Sequence, residues 1–455
     1  MTAGLPDDSF HDPVLRLPSN QCRDRFHGAH EGQYMESFDP NVVNTHYLQN
    51  VMGLAKSHEV IASEDIFDAR GIKLIAKGTR VNESLQERLI RFKLNKPLEG
   101  SLDVGGGISS QKLMEQAQIV LDEVAPLSVL MKSGASGKAV LAILKELRFN
   151  KASTLFLSME QGGNGTGFRH AVLAAVTGIT LGLRLDLDSA ALHNLALAGL
   201  LHDAGELYIN PEFRNPVRQL APEEWKHIAA HPRIGQLVTE STPGIPRAVS
   251  IAIGEHHERP NGFGYPRQLT ANTISKLGKI LLMTELLCGI FPKTDQPMER
   301  SCLAVKVIPG EYPSDLVSLI TSSAQGAPSP ALVDAERHQE LVERVKRIEP
   351  RMEAAIAHIE TAMPGSAGAA DVLIGQSRER LLMLRRAMYS TGLYGCKDLQ
   401  SHETQTSGIA LEMDTVTYEI EWRLRELSRQ ITLSMSSIAK DDQREYFKTL
   451  VACLI

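Results

Sequence analysis

Two stretches near the carboxyl end of the chain repeat apolar residues at steps of three and four, the spacing that places them on one face of an α-helix. Stripes of this length predict two long amphipathic helices, and we favour packing within a bundle over an extended coiled coil. Either arrangement would permit a homodimer through these helices. The first stripe consists of Leu341, Val345, Ile348, Met352, Ile356 and Ile359, and Pro350 is expected to kink its helix. The second stripe consists of Val416, Ile420, Leu424, Leu427, Ile431, Met435 and Ile438.

A run of consecutive apolar residues in the middle of the chain, residues 195–201, suits a helix that is buried on all sides. Upstream, residues 113–147 have a helical period that is interrupted at residues 133–137. Downstream, residues 211–216 are predicted to form a loop. A further helix is predicted to open at Ala221, because a proline and acidic residues follow in its first turn. The middle of the chain is therefore predicted to be a helical domain.

Alternating apolar and polar residues predict β structure near the amino end of the chain. Residues 59–62 and 68–78 alternate, and residues 84–92 have a helical period, so we predict a small β-hairpin module capped by a helix. A sensory or docking role and a simple packing role are both open for this module. The three glycines at residues 105–107 are predicted to form a flexible joint to the next domain.

These patterns together predict a mainly α protein. Residues 1–34 are polar and without a period, which favours a flexible extension. A small α/β module is predicted over residues 35–105, a central helical domain over residues 106–325, and a C-terminal helical region over residues 326–455.

The composition is that of a globular protein, with 43% hydrophobic and 22% charged residues among 455. A net charge of −6 means that there is no excess of basic residues, so binding of a nucleic-acid polymer is not predicted. There is no apolar run of about 18 residues and no signal-peptide pattern, so neither membrane insertion nor secretion is predicted. The five cysteines lack the spacing of metal-binding or disulfide motifs, which favours a reducing cytoplasm.

Histidines gather in the central domain in four separate segments. A lone histidine is more often a hydrogen-bonded core or surface residue, but five of them beside acidic residues indicate a metal site. Neutral imidazole suits Fe, Mn or Zn, and a carboxylate has two oxygens with which it can bridge two ions. Two ions about 4 Å apart can clamp an in-line displacement at phosphorus. The residues that suggest this chemistry are His170, His202, Asp203, His231, His256, His257 and Glu285.

The most specific motif is the string HHERPNGFGYP at residues 256–266. It resembles the HHExxDGxGYP motif of the HD-GYP family, a branch of the HD metal-dependent phosphohydrolases that hydrolyses cyclic dinucleotides. The order and spacing of the other histidines agree with the same family, and the resemblance covers residues 150–325. It implies a central helical HD-type phosphohydrolase domain.

The resemblance also implies a site with two divalent transition-metal ions, with Fe or Mn preferred and Zn possible. Asp203 would bridge the two ions and act as a catalytic residue. The substrate would be a cyclic dinucleotide, most simply cyclic di-guanylate. One ion would be held by His170, His202, Asp203 and Glu285, the other by Asp203, His231, His256 and His257, and the loop residues Asn261, Gly262, Gly264, Tyr265 and Pro266 would bind the substrate.

Four positions depart from the family pattern. Thr166 stands where the family can have an acid that recruits a third metal, and Asn261 and Glu285 each replace an aspartate. Glu206 stands where a lysine is usual. Because residues three and four apart share a helix face, Glu206 is predicted to point toward the metals with His202. There it would add a ligand or repel an incoming phosphate, and it is the second candidate catalytic residue.

Two hypotheses for the function follow. The first is a metal-dependent phosphodiesterase that hydrolyses a cyclic dinucleotide through an activated water molecule. The second is a regulator that keeps the fold but binds a nucleotide or a partner protein without hydrolysis. The retained ligands favour the first hypothesis. Glu206 and Glu285 favour the second, as does the segment at residues 291–298, where the basic residues with which the family contacts its substrate are not evident.

Two other features are interpreted as structural. His227 lies four residues before His231 but does not match the family pattern, so we interpret it as a surface residue or a support for the ligands. The glycine-rich residues 162–167 have no Gly-Lys-Ser/Thr continuation, so we interpret them as the entry to the helix that carries His170 rather than as a phosphate loop.

Overall fold

The computed structural model describes residues 38–131, 135–162, 165–214, 220–292, 294–324, 335–361, 368–391, 407–435, 438 and 440–454. The predicted extension over residues 1–34 lies outside this part of the chain. Helices dominate, which confirms the prediction of a mainly α protein. They are α1 (Thr45–Ala55), α2 (Glu83–Arg91), α3 (Ser110–Glu123), α4 (Ala125–Met131), α5 (Gly137–Glu146), α6 (Lys151–Gln161), α7 (Thr166–Arg184), α8 (Ser189–Leu201), α9 (Pro222–Glu240), α10 (Arg247–Glu255), α11 (Lys276–Ile290), α12 (Pro297–Ala304), α13 (Ser314–Ser323), α14 (Ala335–Glu360), α15 (Ala369–Ser390), α16 (Ser407–Ser434) and α17 (Asp441–Leu454).

The N-terminal module contains two small antiparallel sheets rather than one hairpin. Strand β1 (Glu59–Ala62) pairs with β4 (Leu102–Gly105), and the short strands β2 (Ile66–Phe67) and β3 (Lys73–Ile75) pair with each other. The predicted capping helix is present as α2. The module also includes α1, whose buried apolar residues join the main core.

The prediction of a flexible joint at residues 105–107 is wrong. Gly105 pairs with Glu59 as the last residue of β4. A Cβ atom added to Gly107 would lie only 2.7 Å from Val104 and 2.8 Å from the Ser158 hydroxyl, so the chain here is packed tightly against α6. Three glycines in sequence thus permit close approach between backbone and neighbouring side chains rather than flexibility.

The central domain is built around α8, which is buried as the apolar run predicts. Its neighbour α7 crosses it closely, since a Cβ atom on Gly199 would lie 2.7 Å from the backbone nitrogen of Ala175. Helices α10 and α11 pack against α8, and α9 packs against α10 and the 3₁₀ helix Ala204–Tyr208 that follows α8. The predicted loop at residues 211–216 begins instead with a short 3₁₀ helix, Pro211–Arg214. None of the helices in the described part of the chain is long and apolar enough to span a membrane.

A buried polar contact joins the N-terminal module to the central domain. The Tyr208 hydroxyl donates a hydrogen bond to the Glu99 carboxylate, and the Asn50 side chain donates to the carbonyl oxygen of Leu207 at 2.8 Å. Both contacts end on the 3₁₀ helix Ala204–Tyr208, which directly follows His202 and Asp203. Burial raises the pKa of Glu99 to about 6, although the Tyr208 hydrogen bond opposes the rise. The module therefore supports the segment that carries the central acid.

We predict that Glu99→Gln removes a pH-dependent loss of stability. A buried acid with a raised pKa destabilises the fold once it ionises, so its penalty should develop as the pH rises from about 4.5 through about 6. The free energy of unfolding of wild type relative to the variant should fall by about 2 kcal/mol between pH 4.5 and pH 7. Urea unfolding of both proteins at each pH measures this difference. The other buried acids contribute equally to the two proteins, so their contributions cancel in the comparison. A pH-independent difference would show that Glu99 does not titrate in this range.

The C-terminal region is a four-helix bundle, α14 to α17, in agreement with the preference for a bundle. Helix α14 continues through Pro350. The two predicted stripes lie in its core, and only Met435 among their members is partly exposed. The bundle packs on the central domain through contacts of α16 with α9 and α12. At this boundary Arg423 is buried and bonds to the carboxylates of Glu311 and Glu419.

Candidate metal centre

Four of the predicted site residues directly follow the ends of helices, and three lie within helices. His202 and Asp203 follow its last residue, and His256 and His257 follow the last residue of α10. An apolar helix places the polar residues that follow it at its end, where they can converge with residues from neighbouring helices. His170, His231 and Glu285 reach the same place from α7, α9 and α11.

One oxygen of Asp203 faces the first predicted group of ligands. Its Oδ2 atom lies 3.1 Å from His202 Nε2 and 3.5 Å from His170 Nε2. The Glu285 Oε2 atom lies 3.3 Å from His202 Nε2 and 3.6 Å from His170 Nε2. The longer side chain of glutamate at position 285 therefore still reaches the two histidines that the family pattern assigns to it.

The other oxygen of Asp203 faces the second group. Its Oδ1 atom lies 3.4 Å from His231 Nε2 and 3.8 Å from His256 Nε2. Ligand atoms of His231, His256 and His257 all lie within 4.8 Å of one another, as do those of His170, His202 and Glu285. The two clusters thus share Asp203, with one carboxylate oxygen turned toward each. This is the geometry that a bridging carboxylate requires.

Backbone hydrogen bonds orient three of the histidines. The Nδ1 atoms of His202, His231 and His256 lie 2.8, 2.7 and 2.6 Å from the carbonyl oxygens of the residues three positions earlier in the chain. A carbonyl oxygen only accepts, so each Nδ1 carries the proton and donates it. In the neutral form of each ring, Nε2 then has a lone pair aimed into the site, as metal-ligating histidines require.

Pairs of these Nε2 atoms face each other at short distance. His170 and His202 are separated by 3.1 Å between Nε2 atoms, and His231 and His256 by 3.0 Å. Two lone pairs at this distance repel unless a shared proton or a metal cation lies between them. With metal–nitrogen bonds of about 2.1 Å, adjacent ligands of an octahedral ion are about 3.0 Å apart. The donor types and their spacing therefore fit a divalent ion in each cluster.

The electrostatics of the two clusters differ. Burial lowers the pKa of His202, but the Asp203 and Glu285 carboxylates outweigh this effect and raise the pKa well above its usual range. Burial and the neighbouring His231 lower the pKa of His256 to about 3. Burial would raise the pKa of Asp203, but His202 and its other histidine neighbours hold it well below the usual range. The surrounding histidines thus favour the ionised form of Asp203.

Glu206 points into the site, although not from an α-helix. It lies on the 3₁₀ helix Ala204–Tyr208, and its carboxylate is within 4.8 Å of ligand atoms of Asp203 and His231. Burial and the charge of Asp203 raise its pKa. Arg214 approaches the same carboxylate at 3.7 Å. The predicted orientation of Glu206 toward the site is therefore observed, with an arginine beside it that sequence reasoning missed.

Glu160 was also missed by sequence reasoning. It comes from the last turn of α6 and lines a small cavity with His170, His202 and Asp203. Burial and the charge of Glu206 raise its pKa to about 7, and its Oε1 atom has no hydrogen-bond partner. No motif marks this residue, because it precedes the glycine-rich residues and lies outside the family string.

The loop at residues 256–266 is organised by a buried acid. The two oxygens of Glu258 accept hydrogen bonds from the backbone nitrogens of Arg267 and Leu269, both at 2.8 Å. The Asn261 side chain accepts from the backbone of Phe263 at 3.1 Å, so this amide is used within the loop. Burial raises the pKa of Glu258 to about 7.

The remaining loop residues have distinct placements. Gly262 has a φ of +81°, a conformation that side chains disfavour. A Cβ atom on Gly264 would lie 2.2 Å from the Arg259 backbone nitrogen. Tyr265, whose bond to Pro266 is cis, stacks on His257 with ring centroids 4.6 Å apart. Tyr265 is therefore the loop side chain in direct contact with the histidine cluster.

Two residues lie outside the two clusters, as predicted. Thr166 is the first residue of α7 and supplies no carboxylate. His227 is exposed on α9 and contacts the ring of Phe213 at 5.5 Å between centroids. Neither residue belongs to the groups of metal-ligand type in the described part of the chain.

Comparison with known proteins finds similarity over the part of the chain that carries these clusters. Residues 149–287 match the protein-family model described as HD domain. A cyclic di-GMP phosphodiesterase from Pseudomonas aeruginosa is 27% identical over 141 residues, which are 31% of this chain and 34% of that protein. A 3′3′-cGAMP-specific phosphodiesterase from Vibrio cholerae is 26% identical over 117 residues, which are 26% of this chain and 25% of that protein. The chain thus aligns with about a third or less of these relatives' length.

A solved structure, described as an HDG"Y"P protein from Bdellovibrio bacteriovorus, is 17% identical with a TM-score of 0.32. The match covers 59% of this chain and 94% of that one. Residues 149–287 therefore contain an HD domain, and the motif at residues 256–266 within it resembles that of the HD-GYP family.

Proposed function

We propose that the chain is a metal-dependent phosphodiesterase that hydrolyses a cyclic dinucleotide, with cyclic di-guanylate as the first candidate. The observation that carries this proposal is the position of Asp203, whose two oxygens face two separate clusters of histidines. A scaffold that only binds a partner has no use for this arrangement. The names of the curated relatives support the substrate class.

We propose two ions per chain, with iron or manganese preferred because both accept mixed imidazole and carboxylate ligation. When bound, such ions lower the pKa of a water molecule and neutralise charge on the phosphate. The ligands would be those that the family pattern assigns. These are His170, His202, Asp203 and Glu285 for one ion, and Asp203, His231, His256 and His257 for the other.

The chain's own residues would set the geometry and charge of the reaction. The hydrogen bonds from Nδ1 fix three imidazoles before any ligand arrives, so no rearrangement is needed. The carboxylates of Asp203, Glu206 and Glu285 supply three negative charges against the four positive charges of two divalent ions. These ligands and ions would therefore keep one net positive charge, and Arg214 beside Glu206 adds another that offsets Glu160 when that acid ionises.

Glu206 is proposed as an additional ligand on the His231 side. Its carboxylate lies close to Asp203 and His231 and is partly balanced by Arg214. We expect Glu206→Gln to weaken metal binding by about 10-fold to 100-fold, because an amide is a poorer ligand than a carboxylate. Titration of metal-free protein with Mn²⁺ measures this change, and Glu212→Gln on the neighbouring 3₁₀ helix is a matched control. Unchanged affinity in Glu206→Gln would contradict a ligand role.

A nucleotide-binding regulator without hydrolysis is the second candidate. It is favoured by the two additional acids beside the histidine clusters, Glu160 and Glu206, because negative charge there would repel a phosphate. Product analysis separates the two candidates. Protein loaded with Mn²⁺ or Fe²⁺ is incubated with cyclic di-guanylate or with 3′3′-cGAMP, and the nucleotides are separated by chromatography. Linear products support the phosphodiesterase, whereas tight binding with unchanged nucleotide supports the regulator.

A further inference from the structure

A row of aromatic contacts connects the candidate metal centre to the C-terminal bundle. Tyr265 stacks on His257, and its ring meets the Trp225 ring edge-on with centroids 5.9 Å apart. The guanidinium carbon of Arg429, on α16, lies 4.4 Å from the centroid of Trp225. The bundle thus places a cation two rings away from a predicted metal ligand.

Arg429 differs from the other arginines at this boundary. Arg423 bonds to Glu311 and Glu419, and Arg380 bonds to Glu426 at 3.2 Å. Within the part of the chain that the structure describes, no carboxylate lies in ion-pair range of Arg429. Its side chain is only partly exposed, and both burial and the nearby Arg425 lower its pKa. A guanidinium in this setting has hydrogen-bond donors that no protein anion satisfies.

Arg425 lies one helical turn before Arg429 and is exposed. It too has no carboxylate partner among the described residues. Like charges at positions i and i+4 of a helix destabilise it. An anion held between the two guanidinium groups would remove that repulsion, and arginine is suited to phosphate because its planar donors can bind two oxygens at once.

A cyclic dinucleotide carries two phosphodiesters, of which only one reacts at a time. We propose that Arg429, with Arg425, binds the second, non-reacting phosphate, so that the C-terminal bundle completes the substrate site beside Trp225 and Tyr265. This inference rests on the proposed function.

The test compares substrates with one and two phosphates. Arg429→Gln should raise KM for the cyclic dinucleotide by roughly 10-fold or more, with a smaller change in kcat, because a charge-assisted hydrogen bond to substrate is lost. The loss should be much smaller with bis(4-nitrophenyl) phosphate, which has a single phosphate. Arg429→Lys keeps the charge and should recover part of the affinity. Arg386→Gln, an exposed arginine on α15, is the control for net charge.

Circular dichroism and metal content establish that each variant is folded, and equilibrium binding of a fluorescent cyclic dinucleotide gives an affinity that does not depend on turnover. If wild type hydrolyses the dinucleotide and Arg429→Gln has wild-type KM and affinity, this inference is wrong and the proposed function stands. If wild type binds the dinucleotide without hydrolysing it, the proposed function is wrong. The inference then holds if Arg429→Gln binds the dinucleotide more weakly than wild type, and is wrong if the two affinities are equal. If wild type neither binds nor hydrolyses, both fail.

Discussion

Asp203→Asn is expected to lower kcat/KM for the cyclic dinucleotide by about 1000-fold or more. The substitution preserves the shape of the side chain but replaces one of its two oxygens with an amide nitrogen that cannot bind a cation. Both clusters depend on this residue, because Oδ2 faces His202 and Oδ1 faces His231. Losing the stabilisation that metal ions give to a phosphoryl transition state costs several kcal/mol, and about 4 kcal/mol corresponds to this factor.

The matched control is Asp122→Asn, an exposed residue on α3, which should retain wild-type activity. Rates are measured with saturating Mn²⁺, so that weakened metal affinity alone cannot account for the loss. A variant at Asp203 that keeps more than about a tenth of wild-type activity would show that the carboxylate does not bridge two ions.

Gly205→Ala is expected to destabilise the protein by about 3 kcal/mol or more and to disrupt the site. A Cβ atom at this position would lie 2.0 Å from the carbonyl oxygen of His231 and 2.7 Å from the backbone nitrogen of Gly235. Both are backbone atoms, so no side-chain rotation relieves the clash. The 3₁₀ helix that carries Glu206 would have to move away from α9, which carries His231.

Gly375→Ala provides the control, because a Cβ atom on this α15 residue meets nothing within 4 Å. Alanine is the better helix former, so this variant should gain up to about 1 kcal/mol. Urea unfolding measures both free energies. Equal stability of Gly205→Ala and wild type would mean that the backbones of the 3₁₀ helix Ala204–Tyr208 and α9 do not pack closely at this position.

The ligands were predictable from the sequence because their chemistry is local. Adjacent residues such as His202 and Asp203, and the string at residues 256–266, leave a recognisable pattern. Their convergence followed from the apolar helices that precede them. Glu285 was assigned to the first cluster by position, and its carboxylate lies 3.6 Å from His170 and 3.3 Å from His202 despite the extra methylene.

The residues that the sequence did not reveal depend on long-range packing. Glu160, Arg214 and Arg429 reach the region of the site from elements that carry no motif. The glycines at residues 105–107 were predicted to form a flexible joint for a related reason. Glycine occurs both in flexible segments and where the backbone packs closely, and the sequence alone does not distinguish the two. Glu206 points toward the site as predicted, but it does so from the 3₁₀ helix that follows α8 and not from α8 itself.

In the C-terminal region, too, only some of the helices could be predicted from the sequence. The two stripes predicted helices α14 and α16, but α15 and α17 were not anticipated. Their apolar positions are interspersed with buried polar residues such as Ser377 and Arg380, which weaken a hydrophobic period. The partners that satisfy such residues lie on other helices, for example Glu426 for Arg380.

The metal content of the full chain tests the central claim most directly. Protein purified without chelators and supplied with Mn²⁺ or Fe²⁺ is analysed by mass spectrometry for ions per chain, beside His170→Ala and His256→Ala. The two-cluster arrangement predicts about two ions in wild type and about one in each variant, because each substitution removes a ligand from one cluster only. One ion or fewer in metal-saturated wild type, or two ions in both variants, would contradict it.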